Sequence, residues 1–293
     1  MKKIQKYSIK QLLSLSLPFL YWEIVLPLWR TPPKLIFGNT IGYRRNIIPR
    51  IKSFFKKRNS KHIVSSENIQ LLNELDKNGY LRLSKIDSKK MKLISAQFKK
   101  CISEDSKTFY MANNGNQTFV KDPLRNIPEI KDILNDLKPL FLDMSSGEYF
   151  IKQFAAKRNI HIGNAFDHVD SGISNAFHND GLSCRDRVIY ILLSDNVNKE
   201  TGATKFINKK DSKSLSRDFE YFSRRFLTRR FVEKMYEKAE YFEGSLGDIY
   251  MMNTPEILHG ATIPKVGSTR DTISFIYTED QPKNSTDFLH FSD

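Results

Sequence analysis

The sequence predicts a mainly β core flanked by helices, and three observations lead there. Segments with helical periodicity occupy the stretch 62–145. From about residue 147 they give way to short apolar runs separated by glycine-containing turns. The chain is also 40% hydrophobic and 12% aromatic over 293 residues, enough to bury a core and to exclude global disorder. Helices first and many short strands afterwards suit a sheet barrel or sandwich buttressed by helices.

Taken in order, the first 61 residues stand apart. The chain carries 47 Lys and Arg against 33 Asp and Glu, a net charge of +14. Nearly all of that excess lies in residues 1–61, where Glu23 is the single acid. This basic arm brackets the most apolar run in the chain, Leu12 to Trp29, which holds both tryptophans, Trp22 and Trp29. A secretory signal lacks its small-residue cleavage site, because Arg30 and Pro32-Pro33 follow the run. A spanning helix is marginal at this length with Pro18, Glu23 and Pro27 inside. Nucleic-acid binding is not expected, since the basic residues flank an apolar run rather than line a folded face. Attachment to an anionic membrane surface is the expectation, with core packing as the plainer alternative; Trp and Tyr favour the interface and Lys and Arg are drawn to it. A second basic-apolar stretch, Asn46 to Arg58, agrees. Only Cys101 and Cys184 are present, which points to a reducing compartment and a cytoplasmic protein peripheral on the inner membrane face.

In the body, residues 62–293, helices are expected at Ser66–Leu75, Ser88–Cys101 and Ile127–Leu142; the stretch 62–110 reads as helical and a polar loop at Asn113–Asn116 follows it. Strands are expected at Glu148–Phe154, Val188–Leu193, Ala203–Ile207, Asp248–Met252, Leu258–Ile263 and Thr272–Thr278, forming a core over 146–279. The charged and aromatic stretch 212–242 reads as a helical insertion.

Five of the six histidines fall in the strand-rich half. Two His-x-Asp pairs occur there, His168-Val169-Asp170 and His178-Asn179-Asp180. Such a pair places an imidazole and a carboxylate on the same side of an extended strand, where both can grip one metal. His178 follows the apolar Ala176-Phe177 and leads into the Val188 strand, whereas His168 stands in a Gly- and Ser-containing stretch, so His178 and Asp180 are preferred. Downstream come Gly247-Asp248-Ile249, His259-Gly260-Ala261 and Arg270-Asp271-Thr272. Two histidines and one carboxylate on one face of an iron leave positions open for a bidentate ligand and for oxygen. An arginine on a neighbouring strand offers a planar fork for a carboxylate, and period-two alternation sets Arg270, Thr272 and Ser274 on one face. A buried Arg270 paired with Asp248 is the structural alternative.

This ordered set (HxD, GDI, HGA, then RxT) resembles the Fe(II)/2-oxoglutarate-dependent dioxygenases, and within them the phytanoyl-CoA dioxygenase-like branch. The resemblance covers roughly residues 145–279 and includes RVIYILLSDNVNKETGATKFI at 187–207. It implies a double-stranded β-helix (jelly-roll, cupin-like) fold, with Fe(II) held by His178, Asp180 and His259. It also implies that Arg270 binds the C5 carboxylate of 2-oxoglutarate with Thr272 assisting, and the strand alternation adds Ser274 as a second hydroxyl on that face. The implied reaction uses O2, releases succinate and CO2, and hydroxylates the substrate. Halogenating relatives replace the carboxylate by a small residue, so Asp180 favours hydroxylation. The sequence departs from the family at Asn208–Ser212 and in the length of 212–242.

Substrate expectations rest on charge. Arg225 and Arg229, four residues apart, share a face if the insertion is helical and would suit an anionic group, with His168 on the substrate side. Together with the arm they suggest an anionic, membrane-derived or lipid-linked substrate, for example a lipopolysaccharide-core Kdo sugar or an acyl lipid. The competing classes are a non-catalytic jelly-roll binding protein and a basic membrane-adaptor.

Overall fold

The computed structural model describes residues 64–103, 107–112, 117–145, 147–161, 177–180, 182, 185–215, 229–280 and 288–292. The basic arm, including Leu12 to Trp29, lies outside them. No helix among the described residues is long and apolar enough to cross a membrane.

Helix α1 (Ser66–Asn78) starts where the Ser65 hydroxyl accepts from the Asn68 amide and stops at Gly79, whose φ of 82° few other residues adopt. Strand β1 (Tyr80–Leu83) follows at once, then α2 (Ser88–Ser103), β2 (Phe109–Ala112) and β3 (Gln117–Val120). The expectation of continuous helix over 62–110 is therefore corrected. Gly79 ends the first helix, and YLRL alternates sides as a strand does, with Leu81 and Leu83 buried. Short α3 (Pro123–Asn126) and long α4 (Ile130–Ser145) complete the helical half. The buried Asp143 carboxylate on α4 accepts from the Ser65 amide, the Ser65 hydroxyl and Asn68 Nδ2, which pins α1 against α4.

The remaining elements are β4 (Glu148–Ile160), β5 (Arg187–Leu192), β6 (Thr204–Phe206), α5 (Lys209–Leu215), α6 (Arg229–Glu237), β7 (Glu240–Phe242), β8 (Ile249–Met252), β9 (His259–Ala261), β10 (Thr269–Thr278) and β11 (Phe288–Ser292). The 212–242 stretch is thus helical at both described flanks but ends in a strand, β7, paired with β6. Residues 216–228 lie outside the described set.

All pairings are antiparallel. The major sheet runs β1-β8-β5-β10-β4-β3-β2, with β11 on the free part of β4, and the minor sheet runs β7-β6-β9. One face of the major sheet carries Ile189, Ile191, Ile273, Phe275 and Tyr277 and packs on Ile133, Leu137 and Phe141 of α4 and Ile94 and Phe98 of α2. The opposite face carries Leu192, Tyr250 and Met252 and packs on Phe206 and Phe242 of the minor sheet. This is a jelly roll with helices on its outer side, as the sequence predicts. Period-two alternation divides each long strand: every other residue goes to the helices, and those between face into the roll.

Strand β4 runs six residues beyond its expected end at Phe154. A bulge makes the extension compatible with the pleat. Ser274 pairs with Ala155 but Ile276 pairs with Lys152, and the extra residue, Gln153, has a φ of 55°. The bulge lets Ile151 and Ala156 both reach the helix-side core, while Ala155, Lys157 and Asn159 face into the roll.

Candidate functional site

His259 opens β9. The two residues before it, Ile257 and Leu258, are fully buried and fix its approach, and the Leu258 amide donates to the Ser212 hydroxyl at 2.8 Å. His178 lies antiparallel to it and the two exchange both backbone hydrogen bonds, at 2.9 and 3.0 Å. Paired residues of an antiparallel bridge put their side chains on the same side, and the two imidazole centroids are 4.4 Å apart. Two residues on, the Asp180 amide donates to the Thr254 carbonyl, and the intervening Asn179 turns the other way to donate to the Ile257 carbonyl at 2.8 Å.

The three side chains converge. Asp180 Oδ1 is 3.7 Å from His178 Nε2, and Oδ2 is 3.6 Å from His259 Nε2. One ligand atom from each lies within 4.8 Å of the others, a spacing that one ion bridges. Nδ1 of His259 faces the Ile257 carbonyl at 3.4 Å; a proton held there leaves the Nε2 lone pair turned inward. Burial pushes His259 down to about 4, and the adjacent His178 acts in the same direction, against an opposing pull from Asp180. The imidazole is therefore neutral near pH 7, the form a metal needs.

Arg270, 3% exposed, lies on β10 with its side chain inside the roll. Nη1 donates to Thr204 Oγ1 of the minor sheet at 2.9 Å. The alternative pairing with Asp248 does not form: Asp248 is 3.1 Å from Arg82 and accepts from the Ser245 amide. Among the described residues no carboxylate meets Arg270, its Nε is buried without a partner, and so is the Thr272 hydroxyl two residues along the same face. Burial accordingly lowers the guanidinium to about 10. A buried fork with an orphaned donor beside an orphaned hydroxyl is an incomplete site, and an incoming carboxylate completes it.

Gly202 makes room for this arrangement. Its φ is 101°, and a β-carbon there would lie 2.8 Å from Pro264 Cγ and 3.5 Å from Arg270 Cβ. The neighbouring Arg158 and Asp271 form a two-pronged ion pair across β4 and β10, both contacts 2.7 Å, which clamps the strands next to Arg270.

Ser274 and Asp180 help line a cavity of about 620 Å³, walled by Tyr110, Phe119, Phe154 and Tyr190. Ser274 thus faces this cavity, one pleat along the strand from Thr272. His168 and Arg225 lie outside the described residues; Arg229 is the first residue of α6. His161 and His290 have local roles: His161 Nδ1 contacts the Pro264 carbonyl at 2.7 Å, and His290 stacks on Phe150 and meets Glu148. Sequence reading missed Thr204, Lys157, Asn159 and Tyr190. Period-two alternation continued past Phe154 would have set Lys157 and Asn159 on the inner face, in register with Thr272 and Arg270. Nothing local marks Thr204.

No protein-family model and no curated protein sequence matches the chain. Solved structures do. The epimerase SnoN in complex with Fe3+, alpha ketoglutarate and nogalamycin RO matches at a TM-score of 0.54 and 13% identity, over 78% of this chain and 94% of that one. EctD from S. alaskensis with 2-oxoglutarate and 5-hydroxyectoine matches at 0.51 and 14%, over 73% and 76%. HygX from Streptomyces hygroscopicus with nickel and 2-oxoglutarate matches at 0.50 and 15%, over 76% and 89%. At these identities the likeness is one of fold, and it is the jelly-roll fold.

Proposed function

We propose that this protein is an Fe(II)- and 2-oxoglutarate-dependent oxygenase. In this reading His178, Asp180 and His259 hold the iron, and Arg270 with Thr272 receives the far carboxylate of 2-oxoglutarate. The observation that carries it is the coexistence, on a fold shared with proteins solved with those ligands, of two complementary half-sites. One is a converging imidazole–carboxylate–imidazole set; the other is a buried guanidinium without a counter-ion among the described residues. Iron with 2-oxoglutarate bound would supply O2-dependent decarboxylation to succinate and CO2, coupled to oxidation of a substrate C–H bond.

The chain's own residues supply position. The His178–His259 bridge fixes both rings, and Asn179, held on the Ile257 carbonyl, fixes the turn to Asp180. Thr204 orients Arg270, and the aromatic residues that line the open cavity beside Asp180 offer an apolar surface on the side where a substrate would enter. Hydroxylation is the outcome that fits the retained Asp180 carboxylate, within the phytanoyl-CoA dioxygenase-like branch. We further propose that residues 1–61 attach the protein to an anionic membrane surface on the cytoplasmic side, and that the substrate is anionic and membrane-derived or lipid-linked. The charge asymmetry supports both.

The test is succinate release from 2-oxoglutarate with Fe(II) and O2, across a panel of membrane lipids, acyl-CoAs and lipid-linked sugars. Oxygen-dependent release, raised by one class and absent in His259→Ala, is the expected result. No release from 2-oxoglutarate under any condition would leave a jelly-roll binding protein in its place.

A further inference from the structure

We propose that Lys157 is a specificity residue that receives an anionic group of the primary substrate, a carboxylate or a phosphate ester carried on a ring or chain that packs against Phe119 and Tyr110. The proposal rests on the oxygenase reading of the site and deepens it.

Lys157 pairs with Thr272 across β4 and β10, so its side chain enters the roll next to Arg270 and Asn159. Its Nζ lies 5.9 Å from the centre of the Phe119 ring. Phe119 stacks on Tyr110 with centroids 5.2 Å apart and planes within 8°, and both line the cavity that Asp180 also lines. The ammonium makes no hydrogen bond or ion pair with any described residue. Contact with one aromatic face at that distance is a weak substitute for the water it displaces. Its surroundings register the deficit. Burial pushes the lysine down to about 8 and Arg270 pushes the same way, while Asp180 pulls it partly back. A methionine would fill the same stem volume at no electrostatic cost, so packing does not account for a lysine here.

Charge counting shows what is missing. A divalent iron and a doubly charged 2-oxoglutarate cancel, and Asp180 cancels Arg270. Lys157 is left as one positive charge with no counter-ion among the described residues. The far carboxylate of 2-oxoglutarate already has the Arg270 fork and Thr272, so the remaining cation is left beside Phe119, its cross-strand neighbour and one of the residues lining the aromatic cavity. A singly charged anion arriving there neutralises the centre only when the substrate is in place. The same contact would set the substrate's position relative to the iron ligands.

The test uses the full-length Fe(II)–2-oxoglutarate complex under anaerobic conditions, with benzoate and the uncharged benzyl alcohol as probes and the visible absorption of the complex as readout. Wild type should bind benzoate about tenfold or more tighter than benzyl alcohol, the value of one charged hydrogen bond. Lys157→Met should lose that preference with 2-oxoglutarate affinity unchanged, and Lys157→Arg should keep it. Thermal unfolding of each variant verifies that it is folded. No preference in wild type, or a preference that survives in Lys157→Met, overturns the proposal. A loss of 2-oxoglutarate affinity in Lys157→Met also overturns it, by assigning the lysine to the co-substrate. Failure of wild type to bind 2-oxoglutarate at all would instead sink the oxygenase reading, and this inference with it.

Discussion

His178 and His259, 81 positions apart in the chain, exchange both backbone hydrogen bonds and bring their rings to 4.4 Å. Their spacing is thus set by main-chain geometry and not by side-chain packing, so either ring can be removed without collapsing the bridge. His178→Ala and His259→Ala should each abolish stoichiometric Fe(II) or Co(II) binding in calorimetry while leaving the metal-free melting temperature within a few degrees of wild type. Undiminished metal binding in both variants would dissolve the proposed site.

Arg270 is a buried cation waiting for an anion, and that makes stability and binding pull in opposite directions. Arg270→Met removes an uncompensated charge at the expense of one hydrogen bond to Thr204. The ligand-free variant should melt at or above the wild-type temperature. Its affinity for 2-oxoglutarate should fall by about a hundredfold, equivalent to about 3 kcal/mol for a two-pronged charged contact. Arg270→Lys should recover only part of this, because an ammonium lacks the fork. Equal 2-oxoglutarate affinity in all three proteins would show that the carboxylate goes elsewhere.

Gly202 connects backbone conformation to the same pocket. Alanine there meets both an unfavourable φ and the Pro264 ring. Gly202→Ala should cost about 1–3 kcal/mol, measured as a fall in melting temperature. Any shift of the turn that relieves the Pro264 clash passes to Arg270, whose Cβ would lie in van der Waals contact with the new methyl at 3.5 Å, so 2-oxoglutarate binding should weaken as well. A stable variant with normal affinity would mean that the turn relaxes away from the site.

For the arm, the full-length protein should co-sediment with vesicles containing anionic phosphatidylserine at low salt and leave them as salt rises. Replacing Lys52, Lys56, Lys57 and Arg58 by Gln should shift that release to lower salt. Full-length protein recovered wholly in the supernatant at low salt would end the membrane proposal.

Several parts of this molecule were legible in the sequence because local pattern and tertiary role coincide. Val188 to Leu193 is apolar throughout, as a strand buried on both faces must be, and Arg270, Thr272 and Ser274 alternate with Ile273 and Phe275. The far half of β4 was hidden for the opposite reason. Its inward positions carry Lys157 and Asn159 and its outward side carries Arg158 for Asp271, so apolar alternation stops while the strand continues. Strands β1, β2 and β3 span only four residues each; β1 draws its order from β8 and β3 from β4, and β2, among the described residues, is held by β3 alone. Thr204 becomes a partner of Arg270 only when the two sheets meet.

The most direct measurement is an anaerobic titration of 2-oxoglutarate into the protein with and without Fe(II), followed by visible absorption. A charge-transfer band should grow to saturation at one equivalent, require iron, and disappear in His259→Ala. Binding of 2-oxoglutarate with the same affinity and no band whether or not iron is present would contradict a shared centre at His178, Asp180 and His259.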